Sequence, residues 1–454
     1  MTLMSEAETP RTEQGRREWL PEVARRRETE ILEGAKGRPP RWFEDRIETL
    51  VFRNRAIHED ECVNLNPATN AMDPMAENLM AAGLGTRAAL GYPGLKYEMG
   101  VEALEEIEVL AEAVACRVFS ARYVELRVGS GTLANAYAYL ATCKPGDRVI
   151  SPPASIAGHI NHHTEGLAGL LGLEVHEAPV DTEHYTVDID AVASLADRIR
   201  PKLITVGGSL NLLPHPVKEI RAIADQVGAK VLFDAAHVCG LVAGGAWPNP
   251  LAEGADIMTM STSKSLGGPP SGLVFTNDSS LAQRMDAIAY PGLTAHFEPS
   301  KTAALAISLL DWLDYGSAYA TEMISTACAL TDALDSKDIP LFLTSEGPTS
   351  SHQFAIQAAR WGGGQATALR LRQANILTSP IGLPDGEELS GLRVGTPEIV
   401  RWGMTAPDMG QLADLLARAL DGVPEDIAAD VTGFRRQFRD LQFIRRQQPK
   451  VGLI

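Results

Sequence analysis

Short apolar runs alternate with longer amphipathic stretches along most of the chain after Cys62. A short run bounded by turn residues predicts a strand, whereas apolar residues spaced three or four apart predict one face of a helix. The predicted strands are residues 123–128, 148–151, 202–207, 230–233, 257–261, 354–358 and 391–394. The predicted helices are residues 104–119, 129–143, 217–228 and 303–315. This alternation is typical of an α/β protein whose mostly parallel sheet is covered by helices on both faces.

Residues 1–60 have a different pattern, with many arginines and glutamates around sparse apolar positions. They predict two helical stretches that are interrupted at Pro39 and Pro40, the second over residues 42–56. Such a segment fits an arm that packs on a partner subunit, and it fits a solvated helical extension equally well. We therefore divide the chain into an N-terminal helical arm, residues 1–60, a large domain, residues 61–300, and a smaller C-terminal domain, residues 301–454.

The composition narrows the class of protein. The 454 residues include 41 Lys+Arg and 58 Asp+Glu, a net charge of −17, which argues against binding to the phosphates of nucleic acids. No apolar run approaches the roughly 18 residues that span a membrane, and the charged N-terminus does not resemble a secretory signal. The five cysteines are scattered without metal-binding spacing. We therefore expect a reduced, cytoplasmic protein without a thiolate metal site.

Two predicted strands each deliver a chemically important side chain to their carboxyl ends. The first strand ends at Asp234, and His237 follows three residues later. The second ends in Ser261-Thr-Ser-Lys-Ser-Leu-Gly-Gly, which places Lys264 in a small, polar loop. Ligands of open parallel sheets bind at this edge. A lysine there can form a Schiff base, and the aspartate can hold the protonated nitrogen of a pyridine ring.

A third motif, Gly129-Ser-Gly-Thr132, turns a predicted strand into a helix, so its backbone N–H groups can hold a phosphate. Each motif alone has an ordinary structural interpretation. Gly-Ser-Gly is a common turn, Asp234 fits a helix cap, and Lys264 fits a phosphate-binding or surface lysine. The three motifs together, in this chain order, predict a site for pyridoxal 5′-phosphate.

Longer motifs resemble the serine hydroxymethyltransferase family of fold-type-I pyridoxal-phosphate enzymes over roughly residues 60–440. They are Asp234-Ala-Ala-His-Val-Cys-Gly-Leu-Val-Ala-Gly-Gly245, Trp247-Pro-Asn-Pro-Leu251, Ser263-Lys-Ser-Leu-Gly-Gly-Pro269, Gly91-Tyr-Pro-Gly94, Tyr290-Pro-Gly292 and Gly391-Leu-Arg-Val-Gly-Thr-Pro397. The resemblance implies a large domain built on a mostly parallel, seven-stranded sheet, and a smaller C-terminal α/β domain. It also implies amino acid and aldehyde substrates and a homodimer or homotetramer, in which residues 1–60 help to clasp the subunits.

The resemblance assigns roles to individual residues. Lys264 would form the Schiff base, Asp234 would hold the ring nitrogen, and His237 and Ser209 would contact the ring or its O3′ oxygen. Arg393 would bind the α-carboxylate of the substrate, which suits a planar guanidinium. The remaining expected cofactor contacts are Ser130, Gly131 and Thr132 at the phosphate, with Ser261, Ser263 and Gly292.

Several positions depart from the family pattern. In the family, a Ser-Glu-Asn triplet precedes a Tyr-x-Glu-Gly-Tyr-Pro-Gly motif, and this register places Leu90 at the proton-transferring glutamate and Ala88 at the tyrosine. Leucine can neither move a proton nor hydrogen-bond folate. The paired tyrosines of the family become Tyr97-Glu98. The histidine that precedes the family's lysine becomes Ser263, and residues 375–390 look shorter than the family's folate-contacting loop.

The histidine that stacks on the cofactor ring in the family aligns with Ile156, unless a local shift lets His159 take that place. His159, His162 and His163 also fit ordinary polar positions of a helix or loop. Retro-aldol cleavage needs a base for the β-hydroxyl, and Glu98, His159 and His163 are the candidates. Tyr97 and Glu98 also fit contacts to a substrate tail, supplied across a dimer interface.

These features predict an enzyme that retains pyridoxal-phosphate chemistry but has lost the residues associated with tetrahydrofolate. The leading hypothesis is a folate-independent aldolase that cleaves or forms the Cα–Cβ bond of a β-hydroxy-α-amino acid. The second hypothesis is a hydroxymethyltransferase that uses tetrahydrofolate with serine or α-methylserine. The third is a pyridoxal-phosphate-binding protein without turnover, which the retention of Lys264, Asp234 and Arg393 argues against.

Overall fold

The computed structural model describes residues 17–384 and 389–445. The chain forms two compact units that divide between Glu61 and Cys62. The helices are α1 (Glu22–Ala35), α2 (Pro40–Arg55), α3 (Pro74–Met80), α4 (Glu102–Phe119), α5 (Gly131–Thr142), α6 (Leu167–Leu170), α7 (Ile189–Ile199), α8 (Val217–Val227), α9 (Cys239–Ala243), α10 (Ser279–Ala287), α11 (Pro299–Asp335), α12 (Gly364–Gln373), α13 (Pro397–Arg401), α14 (Met409–Asp421) and α15 (Ala428–Arg435). Among the described residues, none of these helices is long and apolar enough to cross a membrane.

The strands are β1 (Val63–Asn64), β2 (Gly91–Tyr92), β3 (Leu95–Lys96), β4 (Tyr123–Val128), β5 (Arg148–Ser151), β6 (Glu174–Glu177), β7 (Val180–Asp181), β8 (Thr186–Val187), β9 (Leu203–Val206), β10 (Lys230–Asp234), β11 (Ile257–Ser261), β12 (Gly272–Thr276), β13 (Gln353–Gln357), β14 (Ile376–Leu377), β15 (Ser379–Ile381) and β16 (Gly391–Gly395). Each strand predicted from the sequence is present, with ends that differ by one residue at most. The strands that were not predicted are β6 and β12, together with the short strands β1, β2, β3, β7, β8, β14 and β15.

The N-terminal unit consists of α1, α2 and the turn that follows them. The predicted helix over residues 42–56 is confirmed as α2, which starts at Pro40 because proline is accepted in the first turn of a helix. Neither helix contains a buried residue. The role of this segment as a subunit clasp stays a prediction.

Seven strands of the second unit form one sheet in the order β4-β12-β11-β10-β9-β5-β6. All of them run parallel except β12, which is antiparallel to both of its neighbours. The central strands β9, β10, β11 and β12 are buried almost throughout, as expected for a sheet covered on both faces. The predicted fold class, α/β with a mostly parallel sheet, is confirmed.

Helix α11 is much longer than the helix predicted over residues 303–315. Its apolar side chains continue at helical spacing as far as Leu334, and Gly316 does not end it. A side chain at Gly316 would collide with Trp312 and approach Gly244, so this glycine permits close packing of α11 against the end of α9.

Three further strands form a small antiparallel sheet in the order β13-β16-β15. Helix α12 follows β13 in the chain and α14 follows β16, so this part has α/β character of its own. Its middle strand, β16, carries Arg393. The compact unit that begins at Cys62 is not divided further, so the predicted domain boundary between residues 300 and 301 stays a prediction.

Candidate active site

The carboxyl ends of β10 and β11 bring the predicted aspartate and lysine to one edge of the main sheet. Asp234 is the last residue of β10 and pairs in register with Thr259 on β11, while Lys264 lies in the loop after β11. The neighbouring Ser265 ties this loop down, because its hydroxyl donates to the carbonyl oxygen of His237 over 2.7 Å. The loop that carries the lysine is therefore fixed against the segment that carries the histidine.

Asp234 is 5% exposed, yet both of its carboxylate oxygens accept hydrogen bonds. Oδ2 accepts from Asn135 Nδ2 at 3.0 Å and from His162 Nε2 at 2.9 Å, and Oδ1 accepts from the backbone N–H of Ala236 at 3.0 Å. Burial raises the pKa of Asp234, but the His162 contact, the charge of Lys264 and the Asn135 contact together hold it well below its ordinary value. The carboxylate therefore stays ionised, as the partner of a protonated ring nitrogen must.

Lys264 Nζ lies 3.1 Å from His237 Nε2. Burial lowers the pKa of Lys264 to about 8, opposed by the charge of Asp234 and reinforced by that of Arg393. Burial, with the charges of Lys264 and Arg393, also holds the pKa of His237 well below its ordinary value. A neutral imidazole that accepts from the lysine leaves a nucleophilic amine in place, which is what Schiff-base formation requires.

The predicted phosphate cup lies at the N-terminus of α5, beside the end of β11. Ser130 caps this helix, and a Cβ atom on Gly131 would lie only 2.9 Å from Ser261 Cβ, so only glycine fits between the helix and the strand. Thr132 Oγ1 accepts a hydrogen bond from Asn161 Nδ2 at 2.9 Å. The helix dipole and the unpaired N–H groups of the first turn suit a phosphate.

Arg393 is a 7% exposed cation whose neighbours are neutral. Its Nη1 donates to the carbonyl oxygen of Ser209 at 2.6 Å, and its Nε and Nη2 donate to Ser379 Oγ at 3.1 and 3.0 Å. Within residues 17–384 and 389–445, no carboxylate forms an ion pair with it. Burial lowers the pKa of Arg393 to about 10. A buried cation with no acidic partner is suited to bind the carboxylate of a substrate.

The three neighbouring histidines have different environments. Burial lowers the pKa of His159 to about 4, modified by the charges of Asp234 and Lys264, whereas Ile156 belongs to the hydrophobic core. The local shift that would make His159, and not Ile156, the ring-stacking position stays a prediction. His163 Nε2 is hydrogen-bonded to a backbone carbonyl at 2.9 Å, which fits a structural role.

The sequence interpretation missed His162 and Asn135, the two side chains that orient Asp234. His162 is buried, and because the ionised carboxylate of Asp234 can only accept, His162 carries a proton on Nε2, while Tyr139 OH lies 2.7 Å from its Nδ1. The one sequence feature that pointed to His162 is its position three residues after His159, in a polar segment that follows a strand. Only the fold shows that this segment meets a residue 72 positions away.

Other predicted site residues do not contact this cluster. Tyr97 is 82% exposed, Gly292 is exposed, and Glu98 Oε2 accepts from the backbone N–H of Leu90 at 2.8 Å within its own hairpin. Leu90 lines a cavity of about 470 Å³ whose lining does not include Lys264 or the other residues of the cluster. Their predicted contacts with cofactor or substrate stay predictions for this chain.

The residues present fit pyridoxal 5′-phosphate. Asp234 is ionised and buried where a ring nitrogen would need it, Lys264 has a lowered pKa, and α5 offers its N-terminus to a phosphate. Ser209 and His237, two predicted contacts of the cofactor ring, are both hydrogen-bonded to Arg393. The predicted carboxylate site therefore lies next to the predicted cofactor site.

Residues 45–416 match the family model described as serine hydroxymethyltransferase. Similar proteins include an "Alpha-methylserine aldolase" of Variovorax paradoxus, 54% identical over 95% of this chain and 98% of that protein. Another of that name, from a Ralstonia species, is 52% identical over 94% and 99% of the two chains. A "Serine hydroxymethyltransferase" of Pyrobaculum islandicum is 37% identical over 88% and 94%.

Proposed function

Because the chain belongs to the serine hydroxymethyltransferase family, we propose that it is a pyridoxal-phosphate-dependent aldolase that works without tetrahydrofolate. It cleaves or forms the Cα–Cβ bond of a β-hydroxy-α-amino acid, with α-methylserine as the first candidate substrate. The identity of 52–54% to proteins named alpha-methylserine aldolase, against 35–37% to those named serine hydroxymethyltransferase, supports this choice. Leu90, at the position of the family's glutamate, supports folate independence.

The residues of the cluster divide the work. Bound pyridoxal 5′-phosphate supplies an electron sink that stabilises the negative charge left at Cα when the Cα–Cβ bond breaks. Asp234 holds the proton on the ring nitrogen, since its own pKa stays low. Arg393 holds the substrate carboxylate and so orients Cα, and the neutral ring of His237 accepts from Lys264 and Arg393. The stacking position belongs to His159.

Glu98 is the candidate that the structure leaves best suited to take the proton of the β-hydroxyl. The backbone N–H of Asn161 donates to His159 Nδ1 at 3.2 Å, so a neutral His159 carries its proton on Nε2 and has no free acceptor nitrogen. His163 is committed to a carbonyl. Glu98 Oε2 accepts from Leu90, and Oε1 has no hydrogen bond to the residues that the structure describes. A carboxylate oxygen is a suitable general base.

For Glu98 to reach a cluster that it does not contact in its own chain, it must come from a second subunit. Leu95, Tyr97 and Met99, in the same hairpin, are 78%, 82% and 83% exposed. Large apolar side chains this exposed in one short segment mark a surface that another chain covers. The proposed enzyme is therefore at least a homodimer, with Glu98 and Tyr97 facing the partner's site.

The decisive experiment measures aldehyde release by the purified holoenzyme with and without tetrahydrofolate. α-Methylserine, threonine and phenylserine serve as substrates, with serine as the comparison. Cleavage of α-methylserine yields alanine and formaldehyde, and we expect both products in equal amounts without folate. Formation of glycine from serine that depends strictly on folate would instead support the hydroxymethyltransferase hypothesis. A holoenzyme that binds cofactor but turns over none of these would support the non-catalytic hypothesis.

Leu90→Glu tests the residue that supports folate independence, with Leu90→Met as the matched control that keeps an apolar side chain. We expect the glutamate variant to gain folate-dependent exchange on serine, since a carboxylate can move protons and bind folate at this place. If neither variant changes folate dependence, position 90 does not determine it. The loop over residues 375–390 then becomes the next candidate, although residues 385–388 lie outside the described part of the chain.

A further inference from the structure

Ser379 and Arg393 are direct neighbours across two antiparallel strands. They form a register pair between β15 and β16, so both side chains leave the small sheet on the same face. The Ser379 hydroxyl accepts from Arg393 Nε at 3.1 Å and from Nη2 at 3.0 Å. It therefore fills the side of the guanidinium that these two nitrogens share.

The hydrogens of Arg393 can be assigned one by one. A guanidinium has five N–H groups in a fixed plane. Two point at Ser379, and the two on Nη1 face the carbonyl oxygen of Ser209 at 2.6 Å and His237 Nε2 at 3.3 Å. The fifth, on Nη2, has no acceptor among residues 17–384 and 389–445. This free N–H lies on the outer edge that Nη1 and Nη2 form, so a carboxylate that binds there takes the free Nη2 hydrogen and shares an Nη1 hydrogen with its present acceptor.

We infer that Ser379 is a positioning residue, which sets the plane of the Arg393 guanidinium so that its outer edge faces the α-carboxylate of the substrate. Ser209 holds the guanidinium from one side through a backbone carbonyl, and Ser379 holds it from the other through its hydroxyl. Without Ser379, the long side chain is restrained on one side only. Carboxylate binding would then have to fix its orientation at an entropic cost. This inference rests on the proposed role of Arg393.

The test compares Ser379→Ala with Ser379→Thr, which keeps the hydroxyl, and with the matched control Thr378→Val. Thr378 is the adjacent residue, and its buried hydroxyl has no hydrogen-bond partner among residues 17–384 and 389–445, so its removal should change little. We expect Ser379→Ala to raise KM for α-methylserine by about tenfold with kcat changed far less, as the loss of hydrogen bonds to a charged group predicts. Ser379→Thr should restore KM.

A second readout separates positioning from a general structural role. Titration of each holoenzyme with alanine and with alaninamide compares ligands that differ in the carboxylate alone. We expect Ser379→Ala to weaken alanine binding by about tenfold and to leave alaninamide binding unchanged. Equal weakening of both ligands, or of neither, would overturn the inference.

Arg393→Ala distinguishes failure of this inference from failure of the proposed function. If Arg393→Ala weakens alanine binding and Ser379→Ala does not, the inference alone is wrong and Arg393 keeps its role. If Arg393→Ala leaves alanine binding intact, Arg393 does not hold the carboxylate. The carboxylate-binding role proposed for Arg393 and the positioning role inferred for Ser379 are then both wrong.

Discussion

Two regions of this molecule that carry chemically important residues are built in opposite ways. At the strand ends, Asp234 and Arg393 are buried and Lys264 is half-buried, and all three are hydrogen-bonded to neighbours from distant segments. In the hairpin of β2 and β3, Tyr97 is almost fully exposed, and Glu98 is hydrogen-bonded to its own hairpin. The first region is assembled within one chain, whereas the second acts, under the proposed function, on the site of another subunit.

This difference suggests that the buried region supplies the cofactor chemistry common to the family, whereas the hairpin region determines which reaction the enzyme catalyses. A buried site can hold groups at unusual pKa values because water does not screen them, and this is how Lys264 reaches about 8. An exposed hairpin cannot perturb its groups in this way, but it tolerates substitution without loss of the fold. The departures at Leu90 and Glu98 lie beside this hairpin, and under the proposed function they change the reaction and leave the cofactor pocket unaltered.

The largest predicted effect lies in the buried region. Lys264→Ala removes the amine proposed to anchor the cofactor, and we expect turnover to fall by at least about a thousandfold, since the proposed Schiff base cannot form without it. The fold should persist because a buried cation is removed, not introduced. Turnover and cofactor absorbance of the purified variant are the measurements, with the exposed Lys144→Ala as control. Unchanged turnover would exclude Lys264.

The next effect tests the exposed region. Glu98→Gln keeps the shape of the side chain but removes the base, and we expect kcat to fall by about a hundredfold. Cofactor binding should not change, because the proposed role of Glu98 is to take a proton from the β-hydroxyl of the substrate and not to hold the cofactor. Steady-state kinetics and cofactor titration of the same preparation measure both. If the variant binds less cofactor but keeps kcat per bound cofactor, Glu98 holds the cofactor and does not act as the base, which contradicts the proposed roles of the two regions.

The two regions also differ in how far sequence could predict them. Asp234 and Lys264 were predictable because each follows an apolar strand, and parallel strands bring their ends to one edge. Strand β12, Gly272–Thr276, was missed although it is a short, largely apolar run that follows the lysine loop directly. His162 was missed because its role depends on a tertiary contact with Asp234, and local spacing does not encode such contacts.

His162→Phe tests whether His162 keeps the buried carboxylate of Asp234 ionised. Burial alone raises the pKa of Asp234, and His162 provides the strongest opposing interaction. Its loss should raise that pKa and weaken cofactor binding by about tenfold. The acid limb of kcat/KM should move to higher pH, because the carboxylate then takes up a proton sooner. Tyr139→Phe, which removes only the outer hydrogen bond, should shift this limb less; an unmoved limb in both variants would contradict the role of His162.

The smallest effect is on the pH dependence of cofactor uptake, which reports on the buried region alone. Only the neutral amine of Lys264 can form a Schiff base, and burial lowers its pKa from 10.5 to about 8. The rate at which apoenzyme recovers cofactor should therefore rise with pH and level off above about 8, falling about tenfold for each unit below that value. Stopped-flow absorbance measures this rate. Glu98→Gln should give the same curve, since the proposed partner of Glu98 is the β-hydroxyl of the substrate, which is absent from this measurement. A curve that rises only towards pH 10.5 would show that burial does not activate this lysine, and a curve altered by Glu98→Gln would show that the two regions are coupled before substrate binds.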